Sequence, residues 1–402
     1  MKKIGVWFVS MMFISFELCA VQKIVMIDET KSLKMIYPEI EKLGGKILKE
    51  LLLINALVVD FPDYMKDADI YLLGFVKNVE DDRYVKWIEE LAIPQLPSVE
   101  EVRDAIKNGT YDYELPHGGA IVEENGLSEE ELKEIPWGVK RVNAYNAWSF
   151  TTGKGVNLAV LDTGVDYTHP DIKPVYKGGY NAIDSSKPPL DDHGHGTHVA
   201  GTIAAVRDGK GVVGVAPEVN LYAIKVLDSS GSGQYSWIVS GIEWAVNNKM
   251  KVINMSLGSR YSSQAIKSAV EAAYKAGVVI VCAAGNDGGA VNYPAAYPQS
   301  IAVSASDSSD KIASFSSRGS EIDFIAPGVS IYSTYKGATY KTLSGTSMAS
   351  PHVAGLSALA VGLGIDDPQA VKQALINAAV KLPGLKDTEQ GYGMIDASKI
   401  KK

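Results

Sequence analysis

The sequence predicts an α/β protein built on a parallel sheet flanked by helices, preceded by a small α+β domain. From about residue 154 onward, continuous apolar runs rich in β-branched residues alternate with helix-like segments. Strands that are apolar on both faces and separated by helices are typical of a parallel sheet covered on both sides. The first third of the chain lacks this alternation and contains four short strand-like runs with one helix-like segment.

The composition is that of a globular protein and sets broad limits on function. The chain has 402 residues, 46% hydrophobic and 21% charged, which suggests two or three domains. A net charge of −8 argues against nucleic acid as the main partner. The two cysteines are Cys19 and Cys282. Cys282 lies in the apolar run VVIVCAAGN, so we expect it to be a buried small hydrophobe.

The first twenty residues, MKKIGVWFVSMMFISFELCA, have the layout of a secretory signal. Two lysines precede an apolar run from Ile4 to Phe16, which is too short for a comfortable membrane span. We therefore expect a signal peptide over residues 1–20 and a secreted protein without a stable membrane anchor. An uncleaved anchor is the alternative.

Residues 21–87 read as the small α+β domain. Its strands are expected in KIVMIDE, GGKILKEL, NALVVDFP and IYLLGFVKNV, and its helix in SLKMIYPEIEKLG. Residues 88–133 carry twelve acidic and three basic side chains, with several prolines and glycines. This composition favours an acidic linker or an N-terminal extension of the domain at 134–402.

The large domain has five expected strands, in VNLAVLD, VNLYAIKVL, KVINMSLG, GVVIVCAAGN and SIAVSAS. Helices are expected in THVAGTIAAV, QYSWIVSGIEWAVNN and SQAIKSAVEAAYKAG. Functional sites of such sheets gather at the carboxyl ends of the strands. Asp162, Ser256 and Asn286 each lie at or just after the end of an expected strand.

Three residues form a candidate nucleophilic site. Asp162 lies in AVLDTGVD, His195 in DDHGHGTHVAG and Ser347 in LSGTSMASPHVAG. A serine hydroxyl needs an imidazole to take its proton, and a carboxylate can orient that imidazole. Ser347 also begins an expected helix, whose free N–H groups favour a negative charge nearby. Close helix packing is the alternative explanation for the small residues around Ser347.

These motifs resemble those of the subtilisin-type serine proteases, the subtilases. The resemblance rests on AVLDTGVD, HGTHVAGT, AAGN and GTSMASPHVAG, and it covers about residues 135–395. It implies an endopeptidase that cleaves proteins and peptides through an acyl-enzyme. Ser347 would be the nucleophile, His195 the general base and then acid, and Asp162 its orienting partner. Asn286 would stabilise the oxyanion together with the Ser347 N–H.

Two edges are expected to hold an extended peptide by backbone pairing. One is Ser230, Gly231, Ser232 and Gly233; by resemblance, the other is Ser256, Leu257 and Gly258. Two ordinary loops are the alternative. The loop between Asn286 and Tyr293 is shorter than in well-known subtilases, which leaves the preference of the neighbouring pocket open.

The resemblance further implies a Ca²⁺ site. Its ligands would be Asp171, Asp208 and the carbonyls of Val206, Lys210 and Val212. The family often supplies a glutamine where this chain has Lys133, so Glu134 or water would take its place. A solvated Asp208 turn is the alternative. The histidine spacing in HGHGTH does not fit a zinc helix site.

Residues 21–87 resemble, more weakly, the inhibitory propeptide of the family, through GGKILKELLLINALVVDFP and VKNVEDD. Such a domain would act as intramolecular inhibitor and folding chaperone. Glu80, Asp81 and Asp82 would cap helices of the catalytic domain, and residues 83–87 would occupy the substrate groove. The resemblance predicts self-cleavage within about residues 86–92. A solvated charge cluster is the alternative.

Two alternative functions fit the motifs less well. Hydrolases of the nucleophile-elbow type carry G-x-S-x-G and the chain order Ser, acid, His, whereas Ser347 lies in GTSMA and comes last. A catalytically inactive binding protein would not require Asp162, His195, Asn286 and Ser347 together. We therefore expect a secreted, calcium-stabilised, monomeric endopeptidase made as an auto-processing precursor.

Overall fold

A computed structural model describes residues 20–89, 91 and 133–402. Residues 1–19 of the expected signal peptide and most of the acidic segment lie outside the described residues, whereas Ala20 begins the first strand. The chain divides into two compact units. The first comprises residues 20–50 and 55–81, and the second comprises 51–54 and everything described from 82 onward. None of the described helices is both long and apolar enough to cross a bilayer.

The first unit is a four-stranded sheet with two helices. The elements are β1 (Ala20–Ile27), α1 (Leu33–Lys42), β2 (Lys46–Leu51), β3 (Ala56–Pro62), α2 (Asp67–Tyr71) and β4 (Val76–Asp81). The strands lie in the order β2-β3-β1-β4, and β1 runs antiparallel to both β3 and β4. The core of the unit joins apolar residues of the central strands, such as Val25 and Phe61, to Ile36 and Ile40 of α1.

The expected α+β domain is thus present, with one local difference. The run IYLLGFVKNV was expected to be a strand from its beginning, but its first residues close the short helix α2 and the strand begins at Val76. Asp69 accepts a hydrogen bond from the Lys66 N–H, and two aspartates lie in the first turn. Acidic side chains there favour a helix start.

The second unit contains the large sheet. Its strands are β5 (Tyr84–Lys86), β6 (Asn157–Asp162), β7 (Tyr176–Asn181), β8 (Asn220–Lys225), β9 (Ser232–Gln234), β10 (Val252–Met255), β11 (Val279–Ala283), β12 (Ser300–Ser306), β13 (Ile322–Pro327), β14 (Ile331–Tyr335), β15 (Thr339–Leu343), β16 (Ala379–Val380) and β17 (Met394–Ile395). Its helices are α3 (Trp137–Arg141), α4 (Ala144–Ala147), α5 (His195–Ala204), α6 (Tyr235–Asn247), α7 (Gln264–Lys275), α8 (Thr346–Gly362), α9 (Pro368–Ala378) and α10 (Asp387–Gln390).

Seven strands form the sheet, in the order β13-β12-β11-β10-β6-β8-β7, and every neighbouring pair is parallel. The predicted fold class is confirmed, and all five expected strands lie in this sheet. The edge strands β7 and β13 were not predicted. Strand β7 has the sequence YKGGYN, which is too polar and glycine-rich to read as a strand.

Helix α8 passes through the core of this unit. Residues 346–361 are all buried, and the helix packs on strands β10 to β13 and on α5. A helix that is apolar all round is typical of such a buried position. The packing explanation for its small residues is therefore correct for the body of the helix, while its first turn carries Ser347.

Candidate active site

Asp162 and His195 form a buried pair. Asp162 is the last residue of β6, and His195 is the first residue of α5. The His195 Nδ1 lies 2.8 Å from one Asp162 carboxylate oxygen and 3.0 Å from the other. Asp162 is fully buried, and His195 is 5% exposed. The carboxylate therefore fixes the orientation of the ring and leaves Nε2 on the opposite edge.

The loop before α5 is held by Asp191, whose role the sequence analysis missed. One Asp191 oxygen accepts hydrogen bonds from the Gly194 N–H and the Thr163 hydroxyl, at 2.8 Å each. The other accepts from the N–H and hydroxyl of Thr197. These contacts tie the residue after Asp162 to the first turn of α5. The sequence did contain a signal for this role. Asp191 lies four residues before His195, and acidic groups are favourable at helix N-termini.

Glycine is required at position 196. A methyl group added to Gly196 would lie 2.0 Å from the Gly164 carbonyl and 3.1 Å from Asp162 Cβ. Contacts below about 3.0 Å would force the backbone apart. Gly196 therefore allows the first turn of α5 to pack directly on the carboxylate that orients His195.

Ser347 is the second residue of α8 and lines the same cavity as His195 and Asn286. Its hydroxyl donates to the Ser256 carbonyl, at 3.2 Å. The His195 Nε2 is buried and has no hydrogen-bond partner among the described residues. The serine–imidazole hydrogen bond is thus not formed here. Catalytic hydrogen bonds are often long or misaligned before a substrate binds.

Asn286 follows β11 at the carboxyl end of the sheet. Its side-chain oxygen accepts hydrogen bonds from the N–H and hydroxyl of Thr346, at 2.8 and 2.9 Å. Because the oxygen is held by Thr346, the amide N–H₂ lies on the other side of Cγ and remains free to donate. Asn286 and Ser347 also line a second, smaller cavity together.

The two expected substrate edges are both occupied by the segment 84–89 of the same unit. Strand β5 pairs antiparallel with β9. The Trp87 N–H donates to the Gly231 carbonyl at 2.9 Å, and the Trp87 carbonyl accepts from the Gly258 N–H at 3.2 Å. Ser230 and Leu257 flank these contacts, so the seven predicted edge residues lie on either side of one extended segment. Glu89, at its end, lines both cavities with Ser347.

The predicted calcium ligands lie around one loop. The Asp171 carboxylate accepts hydrogen bonds from the Val212 N–H and the Tyr340 hydroxyl, at 3.0 Å each. The Asp171 carbonyl accepts from the Val206 N–H. Asp208 accepts from the Lys210 N–H within its own turn. Across the described residues, no three His, Cys, Asp or Glu side chains form a metal-binding group. The predicted calcium site would not form such a group, because its ligands are two carboxylates and three backbone carbonyls.

Glu134 is the unusual member of this region. One of its carboxylate oxygens accepts from the Gly209 N–H at 2.8 Å, whereas the other is buried and has no hydrogen-bond partner in the described part of the chain. Burial raises the pKa of this carboxyl above its usual value, and the neighbouring Asp208 carboxylate adds to the shift. A buried carboxylate oxygen without a partner, beside a loop that supplies carbonyls, fits a hard cation.

His198, His352 and Cys282 are buried, and the expectation of a buried Cys282 is confirmed. His198 Nε2 lies 3.0 Å from the carbonyls of Ile331 and Lys341, and burial lowers its pKa to about 3. His352 Nδ1 lies 2.9 Å from the Met348 carbonyl, and burial lowers its pKa to about 4. Cys282 is fully buried, and burial raises the pKa of its thiol to about 12.

Two buried polar residues support the site without a signal in the sequence. The Lys225 ammonium donates to the Thr163 carbonyl at 2.6 Å and to an Asp192 carboxylate oxygen at 2.7 Å. Asn254 donates to the Ser256 hydroxyl at 2.9 Å and accepts from Ser350 at 2.8 Å. Both residues lie in strands of the parallel sheet, where neither spacing nor composition distinguishes them from other strand residues.

A parallel sheet of this order, with an Asp–His pair at its carboxyl edge and a serine at the start of the central helix, defines the subtilase class. Residues 153–393 match the subtilase family, and the chain belongs to it.

The chain is similar to characterised members of that family. Subtilisin E of Bacillus subtilis (strain 168) is 52% identical over 247 residues, which is 60% of this chain and 64% of the relative. Subtilisin of Bacillus pumilus is 52% identical over 234 residues, 56% of this chain and 84% of the relative. The alkaline protease of Shouchella clausii is 48% identical over 248 residues, 61% of this chain and 64% of the relative. The chain therefore spans less than two thirds of the first and third of these proteins.

Proposed function

We propose that this protein is a serine endopeptidase that hydrolyses peptide bonds through an acyl-enzyme. The observation that carries the proposal is the buried Asp162–His195 pair, with Ser347 and Asn286 on the wall of the same cavity. Membership of the subtilase family and the similarity to subtilisins support it. The cavity lies where an extended segment already runs between two backbone edges, which favours a peptide as substrate.

In the proposed reaction, Ser347 Oγ attacks the carbonyl carbon while its proton passes to His195 Nε2. Asp162 holds Nδ1–H and stabilises the imidazolium. The Asn286 amide and the Ser347 N–H donate to the oxyanion of the tetrahedral intermediate. His195 then gives the proton to the leaving amine, and the peptide C–N bond breaks. Water, activated in the same way, releases the acyl group from Ser347 and restores the serine.

We further propose that the chain is an auto-processing precursor. The Ile88 N–H donates to the Gly231 carbonyl, and Glu89 follows it beside Ser347. This register supports cleavage after Glu89, inside the expected window of residues 86–92. Residues 21–87, extended by Ile88 and Glu89, would then act as inhibitor and chaperone, with segment 84–89 blocking the groove until it is released. The masses of the products show whether residues 90–133 remain attached to the catalytic unit.

Calcium stabilisation is part of the proposal. Asp171, Asp208 and the carbonyls of Val206, Lys210 and Val212 would hold the ion. The Glu134 oxygen that finds no hydrogen-bond partner among the described residues would take the place of the family's glutamine. A bound Ca²⁺ would supply no chemistry to the reaction and would stabilise the folded state by mass action.

Secretion is proposed from the signal-like residues 1–20, and a monomer is expected.

The test is the intact mass of the chain without residues 1–20, expressed with Ca²⁺ beside a Ser347→Ala copy. We expect the wild type to split after Glu89 and the variant to stay whole.

A serine-directed phosphonate should label the wild type only. Asn286→Ala should lower kcat by about 10²–10³-fold, which is the magnitude known from subtilisin itself. If both chains split alike, a contaminating protease is responsible; absence of both splitting and labelling would indicate an inactive binding protein.

A further inference from the structure

The extended segment 84–89 makes side-chain contacts at its far end, well away from the proposed cut. Strand β5 pairs with β9 so that Tyr84 lies opposite Gln234. Because cleavage is proposed after Glu89, Tyr84 stands at P6, the sixth residue before the cut bond. The backbone pairing fixes this register, so a substrate held on the same edge would present its P6 side chain at the same place.

The Tyr84 side chain contacts two groups there. Its hydroxyl donates a hydrogen bond to Oδ2 of the Asp228 carboxylate. Its ring meets the Trp237 ring edge to face, with the centroids 6.1 Å apart and the planes at 81°. This arrangement is favourable because the positive edge of one aromatic ring meets the negative face of the other. Asp228 and Trp237 together are called the P6 corner below.

The Asp228 carboxylate is held in place by its own turn. Its Oδ1 accepts hydrogen bonds from the Ser230 N–H and hydroxyl, at 2.8 and 2.7 Å, and from the Ser232 N–H at 3.2 Å. Burial by itself would raise the pKa of Asp228, but hydrogen bonds from Tyr84 and Ser230 lower it below its usual value. The corner therefore presents a fixed negative charge at neutral pH.

A second turn with the same sequence shows what is particular about Asp228. Asp184 begins the run DSS, as Asp228 does. Its Oδ1 accepts hydrogen bonds from the Ser186 N–H and hydroxyl, at 3.1 and 2.6 Å, and its Oδ2 forms an ion pair with Lys187 at 2.9 Å. Asp228 has no such ion pair within the described part of the chain, and its Oδ2 accepts the Tyr84 hydroxyl instead. The turn thus leaves Oδ2 to a donor on the bound peptide.

We propose that the P6 corner is a substrate-binding subsite that selects tyrosine six residues before the cut and disfavours an acidic side chain there. This inference rests on the proposed function. A tyrosine supplies both the donor for Asp228 and the ring for Trp237, whereas a phenylalanine supplies only the ring. A glutamate would place a second negative charge beside Asp228. Tyr84 of the chain itself is the first occupant, and its contacts oppose release of the cleaved propeptide.

The experiment measures kcat/KM of the processed enzyme on three internally quenched peptides. They carry the sequence of residues 84–91, YVKWIEEL, with Tyr, Phe or Glu as the first residue. The masses of the products check that each peptide is cut between its two consecutive glutamates. We expect Tyr to exceed Phe by about three- to tenfold, which is typical of one hydrogen bond at a partly exposed site, and Glu to be cleaved most slowly.

Asp228→Ala should bring the Tyr-to-Phe ratio close to one and remove the penalty on Glu. Asp228→Asn, which keeps an acceptor oxygen without the charge, should remove the penalty on Glu and retain part of the preference for Tyr. Each ratio compares two peptides on one enzyme, so a general loss of folded enzyme cancels. Asp184→Ala, in the turn of the same sequence, is the matched control and should leave the ratio as in the wild type.

Equal rates for the Tyr and Phe peptides, or a ratio that Asp228→Ala leaves unchanged, overturn the inference while the protease proposal stands. Cleavage of the peptides at another bond overturns it as well, because the register is then wrong. An enzyme that cleaves none of the peptides and resists the phosphonate overturns the proposed function instead.

The full chain gives a second measurement of the same contact. Tyr84→Phe should shorten the lag between self-cleavage and the appearance of activity, because the propeptide loses a hydrogen bond to the catalytic unit. In an Asp228→Ala chain, Tyr84→Phe should have no further effect on the lag. Additive effects of the two substitutions would count against the P6 corner.

Discussion

At the scale of single residues, Pro351 shows how the first turn of α8 is adapted to the site. The proline is the sixth residue of the helix and lies beyond its first turn. A proline there leaves the carbonyl four residues earlier without its N–H donor. That carbonyl belongs to Ser347 and instead accepts a hydrogen bond from the Ser256 hydroxyl, at 2.8 Å.

This contact predicts a rescue between two residues. Ser256→Ala should destabilise the Ser347→Ala protein by about 1–3 kcal/mol, because a buried carbonyl loses its donor. Pro351→Ala supplies a backbone N–H to the same carbonyl. The double variant Ser256→Ala/Pro351→Ala should therefore recover part of the loss, as measured by chemical denaturation. Strictly additive effects would show that the hydroxyl stabilises the fold in another way.

At the scale of elements, α5 is joined to the hairpin β14–β15 by His198. Its Nε2 donates to one carbonyl on each strand, and the ring is fully buried. Ser333 and Thr334 of β14 in turn donate to carbonyls of α5. The hairpin therefore fixes the helix whose first residue is His195.

The buried histidine predicts a pH dependence of stability. The pKa of His198 is about 3 in the folded protein, against 6.5 when unperturbed, so the folded state stays neutral while the unfolded state gains a proton. The free energy of unfolding should be highest above about pH 6.5 and fall between pH 6.5 and 3. In the Ser347→Ala background, His198→Gln should weaken this decline, even if the variant is less stable at pH 7. Thermal melting at several pH values measures it; parallel profiles would contradict it.

The start of α6 is held by Asp82 and Arg83. An Asp82 carboxylate oxygen accepts the Ser236 N–H at 2.9 Å, and the Tyr235 N–H donates to the Arg83 carbonyl. Negative charge is favourable at a helix N-terminus.

Asp82→Ala should therefore weaken the hold of the cleaved propeptide on the catalytic unit. We expect a shorter lag between cleavage, followed by mass, and the appearance of caseinolytic activity. Asp82→Asn, which keeps an acceptor oxygen without the charge, should give an intermediate lag. An unchanged lag in Asp82→Ala would show that other contacts of segment 84–89 determine release.

At the scale of the whole molecule, we expect bound Ca²⁺ to raise the stability of the fold. The cysteine among the described residues, Cys282, is a free, buried thiol and forms no disulfide there. Removing Ca²⁺ from the Ser347→Ala protein should lower its Tm, and saturation at 100 times Kd would restore about 2.7 kcal/mol. Asp208→Asn should weaken this dependence, whereas the exposed Asp366→Asn should not. A Tm that is independent of Ca²⁺ would contradict the proposed site.

Much of this architecture could be predicted because it is encoded locally. Strands β6, β8, β10, β11 and β12 were predicted from apolar runs, since strands buried on both faces need apolar residues at every position. Strand β7 was missed because its polar, glycine-rich sequence pairs at the edge of the sheet. The Asp162–His195 contact could be expected because each residue lies in a dense, recognisable motif.

Local motifs are sufficient to indicate the fold class, the family and the residues of the proposed chemistry. The groups that surround those residues follow from tertiary packing. Ser256 meets Ser347 across 91 positions of the chain, and Asn292 lies opposite Gly258 through the pairing of Tyr293 with Ser259. The physical reason is that local sequence specifies strands and helices through short-range periodicity, whereas these contacts arise only when distant segments pack and their buried polar atoms must find partners.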